Sequence, residues 1–306
     1  MAEPKIEGLV NVNKGRGPTS HDVVDMARRV FGIKRVGHAG TLDPAAHGVL
    51  LLLLGRVTRL ARFFMAYKKE YRVVVKLGAE TSTGDDQGDV LYERKVTAAA
   101  YDALPAVVRS FVGDVVQRVP KFSAVKQGGE PLYRKARRGE AVDAPTRTVK
   151  VYRFDVVDMT SPTFTADVEC GGGTYVRALA RDVGRKLGVG AHVVDLERLA
   201  VGPFVLADAL PQDILEEGGT DEILAAPHFT PPAALLPELP AARLSAAETA
   251  DVAYGRSVPA PAPLAAGAAV RLLGPDGSLV GVGVAGEGGR VKPDTVLITP
   301  EELGDK

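Results

Sequence analysis

The sequence has few of the features that would place it outside the cytoplasm. Cys170 is its only cysteine, so no internal disulfide can form, which fits a reducing compartment. Its most apolar stretch, residues 49–54, is ended by Gly55-Arg56 and is shorter than the roughly 18 apolar residues that a membrane span requires. The amino terminus lacks the charged and apolar regions of a secretory signal. We therefore expect a cytoplasmic protein without a membrane segment.

Motifs for metals and cofactors are equally scarce. The five histidines lack metal-ligand spacing, and there is no cysteine pair. Residues 15–20 lack the Gly-Lys-Ser/Thr ending of a P-loop, and no helix-forming segment follows the spaced glycines at 281–286. Asp85, Asp86 and Asp89 are more typical of a polar turn than of a cation site. We expect neither a metal nor a cofactor.

The net charge is zero, but the charges are segregated along the chain. Residues 14–72 carry 12 Lys/Arg against 4 Asp/Glu, and residues 117–150 carry 9 against 3. Residues 201–306 carry 6 against 15. This asymmetry suggests a polyanionic partner such as nucleic acid for the basic part, although arginines scattered on solvated helices are the commoner explanation. Charge alone leaves both interpretations open.

Hydrophobic periodicity predicts alternating helices and strands over the first two thirds of the chain. At 306 residues and 45% apolar composition, the chain is long enough for two domains. Helices are predicted at about 20–31, 58–67, 98–111 and after the three glycines at 171–173, and strands at 49–54, 71–77, 149–157, 163–169 and 193–199.

Composition suggests how these elements are divided. Residues 117–142 are basic and lack long apolar runs, which predicts an excursion with a binding function. From about residue 211 the composition shifts to Pro, Ala, Gly and acid, and a hairpin signal follows at Gly274-Pro275-Asp276-Gly277. We predict a large domain over 1–210, a linker over 211–237 and a small β domain over 238–306.

One loop is the most informative feature of the chain. Asp43 lies between glycines 37, 40 and 48 and is followed by Pro44. Glycine permits backbone angles that other residues avoid, and proline restricts the preceding residue to extended geometry. An Asp-Pro pair alone is usually only a turn. The setting here predicts a carboxylate that is held out from the loop.

Ordered segments of the chain resemble the motifs of the TruB family of pseudouridine synthases. The loop at 37–50 resembles the family's catalytic motif, and residues 13–24 resemble its motif of a lysine, a glycine turn and Thr-Ser. Further matches follow in family order at 69–72, 77–85, 120–126 and 173–177. His47 stands where these enzymes usually have threonine, and Asn13-Lys14-Gly15 replaces the commoner Asp-Lys-Pro.

The resemblance covers roughly residues 8–210 and implies an α+β fold. Its large domain would be the catalytic domain, with a mixed, largely antiparallel sheet flanked by helices. The carboxy-terminal unit resembles the small PUA-like RNA-binding domain that follows in this family. The excursion at 117–142 would then grip RNA.

The resemblance also implies a reaction, the conversion of uridine at tRNA position 55 in the T-loop to pseudouridine. Asp43 would act as nucleophile or as proton acceptor toward the sugar, and the sequence leaves both routes open. Arg177 would pair with Asp43, because a guanidinium favours an ionised carboxylate. Tyr71 would stack on the flipped base, His38 would contact the displaced RNA, and Tyr175 and Leu196 would line the pocket.

The resemblance further implies that a set of basic residues contacts RNA phosphates, so that RNA binding weakens as the salt concentration rises. They are Lys14, Arg59, Lys121, Lys126, Arg134, Arg137 and Arg138. The partner would be tRNA. The isomerisation requires no cofactor, metal or protein partner, and we expect a monomer.

Two other functions remain open at this point. A guide-RNA-dependent pseudouridylase subunit shares the aspartate motif but works in a particle with partner proteins. A non-catalytic RNA-binding or RNA-folding module would require only the basic half. The joint presence of Asp43, Tyr71 and Arg177 argues against the second.

Overall fold

The computed structural model describes residues 5–123, 125–225 and 227–303. The predicted domain limits at 1 and 306, and Ala124 of the 120–126 motif, lie outside the described residues. The first elements are β1 (Gly8–Lys14), α1 (Ser20–Phe31), β2 (Val36–His38), β3 (His47–Leu54), a 3-10 helix (Gly55–Leu60), α2 (Ala61–Ala66), β4 (Lys69–Leu77), β5 (Ala79–Thr81), β6 (Val90–Glu93), α3 (Ala98–Arg109) and β7 (Gly113–Arg118).

The chain continues with β8 (Lys126–Gln127), β9 (Glu130–Pro131), α4 (Leu132–Arg137), β10 (Thr146–Thr160), β11 (Thr163–Cys170), α5 (Val176–Lys186), β12 (Ala191–Val201), β13 (Phe204–Val205), β14 (Leu210–Pro211), α6 (Gln212–Glu217), α7 (Thr220–Ile223), β15 (Phe229–Thr230), β16 (Ala241–Arg243), α8 (Ala246–Ala253), β17 (Val258–Pro259), β18 (Ala269–Leu273), β19 (Leu279–Ala285) and β20 (Arg290–Val296). Short 3-10 helices lie at Leu206–Asp208, Pro232–Ala234 and Pro300–Leu303.

A large mixed sheet forms the centre of the molecule, with the strand order β14-β1-β3-β12-β4-β11-β10-β7. Strands β2, β13 and β15 pair with its members from outside this path. The pairs β3/β12 and β1/β14 are parallel, and the other pairs of this sheet are antiparallel. The predicted α+β fold with a mixed, largely antiparallel sheet is confirmed.

Burial explains the two kinds of strand in this sheet. In β4, Tyr71, Val73 and Val75 join the core while the residues between them point outward, which is the period of a strand with one buried face. Strand β3 is apolar and buried from Val49 to Leu54, because both of its faces are covered there. Leu51 and Leu53 pack in one cluster, and the alternate leucines pack in another with α1.

The segment predicted as a linker contains packed elements. Strand β14 pairs in parallel with β1, β15 pairs with β1 in antiparallel fashion, and α6 packs near α1. Leu215 and Ile223 are buried in the same cluster as α1. At least residues 211–230 are therefore part of the large structural unit, because these apolar side chains contact its core. The prediction of a linker over 211–237 is wrong for this part.

The basic excursion begins slightly later than predicted. Gln117 is buried in β7, and its side chain exchanges hydrogen bonds with the backbone of Tyr175. The excursion proper follows Arg118 and consists of the β8–β9 hairpin and α4, held by a small cluster around Leu132.

The small carboxy-terminal sheet has the order β16-β18-β19-β20-β17. The predicted hairpin corresponds to β18 and β19. Leu279 and Leu297 pack in one cluster with Leu60 and Phe64 of the large unit. Within the described ranges, no helix is long and apolar enough to cross a membrane.

Candidate active site

A cavity of about 340 Å³ opens beside the Asp43 loop. Its walls come from that loop, from β4, from the turn before α5 and from β12. The lining includes Asp43, Tyr71, Tyr175, Arg177 and Leu196. Residues that are far apart in the sequence therefore meet around one opening.

The loop that carries Asp43 is fixed at both ends. The Ser20 hydroxyl donates to the Leu42 carbonyl at 2.9 Å and accepts from the Leu42 amide at 2.8 Å. The amide of Gly17 donates to the Pro44 carbonyl at 2.8 Å. Gly48 has a φ of +103°, and a Cβ there would lie 2.3 Å from the Arg198 carbonyl oxygen. Only glycine fits where the loop joins β3.

Arg177 connects this loop to two other parts of the chain. From the first turn of α5, its Nε donates to Asp43 Oδ2 at 2.8 Å. Its terminal nitrogens donate to the Thr83 carbonyl at 2.6 Å and to the Phe122 carbonyl at 3.1 Å. The Arg177 side chain is 6% exposed and that of Asp43 is 35% exposed. The guanidinium is thus held in place, and the carboxylate faces the cavity.

Asp85 is a second carboxylate on Arg177 that sequence reasoning missed. Its Oδ2 lies 3.5 Å from Arg177, and its Oδ1 accepts from the Thr83 hydroxyl at 2.5 Å. The sequence indicated only a polar turn here, and nothing local distinguishes Asp85 from Asp86. Within the described residues, no group of His, Cys, Asp and Glu is arranged to hold a metal ion.

Three of the residues predicted to line the pocket form its aromatic and apolar walls. Tyr71 is buried, and burial raises the pKa of its hydroxyl, so that the phenol is neutral at physiological pH. Tyr175 precedes α5, and the Arg147 guanidinium lies 5.4 Å from its ring centroid. Leu196 lies on β12. All three side chains line the same cavity.

Two cationic residues of the cavity wall were not predicted. Lys69 is buried, its Nζ donates to the carbonyls of Met65 and Tyr67 at 2.5 Å each, and burial lowers its pKa to about 8. Arg198 is 1% exposed. A signal for Arg198 was present in the sequence, since it shares the inward face of a predicted strand with Leu196 and Ala200.

Comparison with known proteins shows the family to which the chain belongs. Residues 28–176 match the family model TruB family pseudouridylate synthase (N terminal domain), and residues 177–221 match the tRNA pseudouridylate synthase B C-terminal domain. Residues 240–297 match Pseudouridine synthase II TruB, C-terminal. The tRNA pseudouridine synthase B of Burkholderia pseudomallei (strain 668) is 37% identical over 304 residues, which cover 98% of this chain and 99% of that protein. The chain belongs to the TruB family of pseudouridine synthases.

Other relatives extend the TruB-family comparison. The tRNA pseudouridine synthase B of Xanthomonas oryzae pv. oryzae (strain MAFF 311018) is 38% identical over 301 residues, covering 97% of this chain and 96% of that protein. Among solved structures, the archaeal box H/ACA sRNP Nop10-Cbf5 complex contains a chain with 25% identity and a TM-score of 0.72. That match covers 97% of this chain and 88% of the other.

One residue predicted from the TruB motifs to contact phosphate does not lie on the surface. Lys14 is 0% exposed, and its Nζ donates to the carbonyls of Gly15 at 2.7 Å and Pro18 at 3.0 Å. Burial lowers its pKa to about 8. The prediction of a phosphate contact is wrong for Lys14, because the ammonium group is used to hold the turn that precedes α1.

The other residues predicted to contact phosphate differ in whether they already have partners within the protein. Arg59 donates to the Val296 carbonyl at 2.7 Å, and Arg138 pairs with Glu130 and Glu140 at 2.6 Å each. Both are therefore engaged within the protein. Lys121, Lys126, Arg134 and Arg137 are exposed on or beside the excursion, and their contact with phosphate stays a prediction.

The two loop histidines lie outside the cavity lining. His38 is half-buried on β2 and is not among the residues that line the cavity; burial and the charge of Arg198 lower its pKa. His47, the departure from the TruB motif, lies 3.1 Å from Asp195 Oδ1 and 3.5 Å from Glu197 Oε1. It therefore joins the end of the Asp43 loop to β12.

Proposed function

We propose that this protein is a tRNA pseudouridine synthase that isomerises the uridine at position 55 of the T-loop. The observation that carries the proposal is the Asp43–Arg177 pair, at 2.8 Å, at the mouth of a cavity walled by Tyr71. The 37% identity over nearly the whole length to a tRNA pseudouridine synthase B supports tRNA as the substrate.

The site contains the groups that this chemistry needs. The reaction breaks the bond between C1′ of the ribose and N1 of uracil, forms a bond between C1′ and C5, moves a proton onto N1 and releases the proton from C5. Asp43 acts on the sugar, either as nucleophile at C1′ or as base, and Arg177 holds its carboxylate in a fixed orientation through the Nε–Oδ2 hydrogen bond. Both routes require the carboxylate to be free on the cavity side.

Tyr71 and Leu196 would hold the base outside the RNA stack. Flipping a base costs a few kcal/mol, and stacking on an aromatic ring offsets part of that cost. The Tyr71 ring lies on the cavity wall, and Tyr175 and Leu196 line the same cavity.

The exposed cations of the excursion would hold the RNA backbone. Lys126 and Arg134 are exposed, and the excursion reaches the cavity, because Ser123 and Val125 are among the residues that line it. We further propose that the protein acts as a monomer, without a protein partner, on the cytoplasmic tRNA pool.

Similarity to a chain of the Nop10-Cbf5 complex favours a second candidate, a subunit that requires a guide RNA. One experiment separates the candidates. The purified chain is incubated with a tRNA transcript that carries 5-tritiated uridine, and release of tritium is followed. We expect tritium to be released from the transcript that contains U55. When U55 is replaced by cytidine, we expect no tritium release from position 55. Binding without release would contradict the proposal and favour a guide-dependent or purely binding function.

A further inference from the structure

Arg198 is a buried charge without a carboxylate partner in the part of the chain that the structure describes. It is among the largest fully buried side chains, at 1% exposure, and no Asp or Glu of the described residues forms an ion pair with it. Burying an isolated charge costs several kcal/mol unless hydrogen bonds replace the lost water. Its neighbours must therefore supply those bonds.

The bonds come from the catalytic loop, on both sides of Asp43. Nε of Arg198 donates to the Val49 carbonyl at 2.6 Å. The two terminal nitrogens donate to the carbonyls of Thr41 at 3.3 Å and Gly40 at 3.2 Å. A planar guanidinium holds these three oxygens in one fixed arrangement, which the single nitrogen of lysine cannot do.

The backbone of Arg198 joins the same loop to the strand of Tyr71. Arg198 is in parallel register with Gly48 at the end of the loop, and in antiparallel register with Tyr71 on β4. The contact with Gly48 is so close that a Cβ would lie 2.3 Å from the Arg198 oxygen. Arg198 therefore contacts the Asp43 loop through its side chain, and it contacts β3 and β4 through its backbone.

We propose that Arg198 is a positioning residue for the reaction: it fixes the Asp43 loop relative to the Tyr71 ring that holds the base. It acts through Asp43 and need not touch the RNA. This role is separate from that of Arg177, which binds the Asp43 carboxylate directly. The proposal rests on the proposed function, since it concerns the rate of that reaction.

The test compares Arg198→Met and Arg198→Lys with the parent in single-turnover tritium release at saturating tRNA, together with tRNA affinity by filter binding. A displacement of the carboxylate by about 1 Å lowers rates by about 100-fold. We expect a loss of that order in Arg198→Met, a loss of at least about 10-fold in Arg198→Lys, and a dissociation constant within about twofold of the parent. Failure of the parent itself to release tritium would refute the proposed function, which is a different result.

Arg271→Met is the matched control. Arg271 donates to two backbone carbonyls, those of Leu235 and Leu239, and lies in the small sheet away from the cavity. Rates are corrected for the folded fraction measured by thermal melting. If the corrected rate of both Arg198 variants stays within about threefold of the parent, Arg198 only stabilises the fold and the proposal fails. If Arg198→Met does not fold, the same comparison with Arg198→Lys decides it.

Discussion

Replacement of Arg177 by lysine should slow the reaction while leaving RNA binding almost intact. Arg177 makes three hydrogen bonds, to Asp43, Thr83 and Phe122, from a side chain that is 6% exposed. Lysine keeps the charge but has one nitrogen on a flexible stem, so it cannot hold the carboxylate and both carbonyls at once. The Asp43 carboxylate would lose its fixed direction.

The size of the effect follows from the bond that is lost. A hydrogen bond to a charged group contributes about 1.5–3 kcal/mol, which corresponds to roughly 10- to 150-fold in rate. Because the Asp43 side chain is 35% exposed, water replaces part of the lost bond. We therefore expect Arg177→Lys to reduce the single-turnover rate of tritium release by about 10- to 100-fold.

Arg181→Lys is the control for this prediction. Arg181 lies one turn further along α5, where its Nε donates to Asp182 Oδ1 at 2.8 Å. It should retain a rate within about twofold of the parent, because its ion pair is local and does not involve Asp43. A folded Arg177→Lys enzyme that works as fast as Arg181→Lys would refute the assigned role of Arg177.

Three other changes test separate parts of the structure. The pKa of Lys69 is about 8 in the fold, below its unfolded value of 10.5, so the unfolded state binds more protons between these values and stability should rise with pH there. In urea titrations, the unfolding free energy of the parent should rise by about 2 kcal/mol relative to that of Lys69→Met between pH 7.5 and 9.5. If the difference in unfolding free energy between the two proteins is the same at both pH values, this pKa is wrong. Gly48→Ala should abolish tritium release and lower the melting temperature, since the new Cβ would lie 2.3 Å from the Arg198 oxygen; normal activity would mean that the loop can shift freely. Arg134→Gln combined with Arg137→Gln should weaken tRNA binding and make the slope of log affinity against log salt about 1–2 units shallower, whereas an unchanged slope would remove the excursion from the RNA interface.

Local patterns in the sequence were sufficient for much of the fold. Helix α1 begins at Ser20, as its periodicity predicted, and its first turn is closed by Thr19 and Asp22, which bond reciprocally to each other's backbone amides. Strand β4 follows from its alternation of apolar and charged residues. The Asp43 loop was recognised from glycines 37, 40 and 48 and from Pro44, which are close to Asp43 in the sequence. Each of these features depends on neighbours in the chain.

The features that were missed depend on contacts that form only in the folded chain. Asp85 meets Arg177 only after folding, so its turn gave no local sign of the contact. Lys14 was expected at the surface, but the folded turn surrounds it with carbonyl groups. Proline and acid after residue 210 suggested a linker, although the leucines in that stretch complete the core beside α1. Composition alone does not record such contacts.

The central claim is that Asp43 performs an isomerisation of uridine in tRNA. The most direct test is tritium release from a 5-tritiated tRNA transcript, with the parent and the Asp43→Asn variant compared at equal tRNA occupancy. Asparagine has nearly the same shape but cannot act as nucleophile or base, so we expect release by the parent and none by the variant. Release by Asp43→Asn at the rate of the parent, or no release by a parent that binds tRNA, would contradict it.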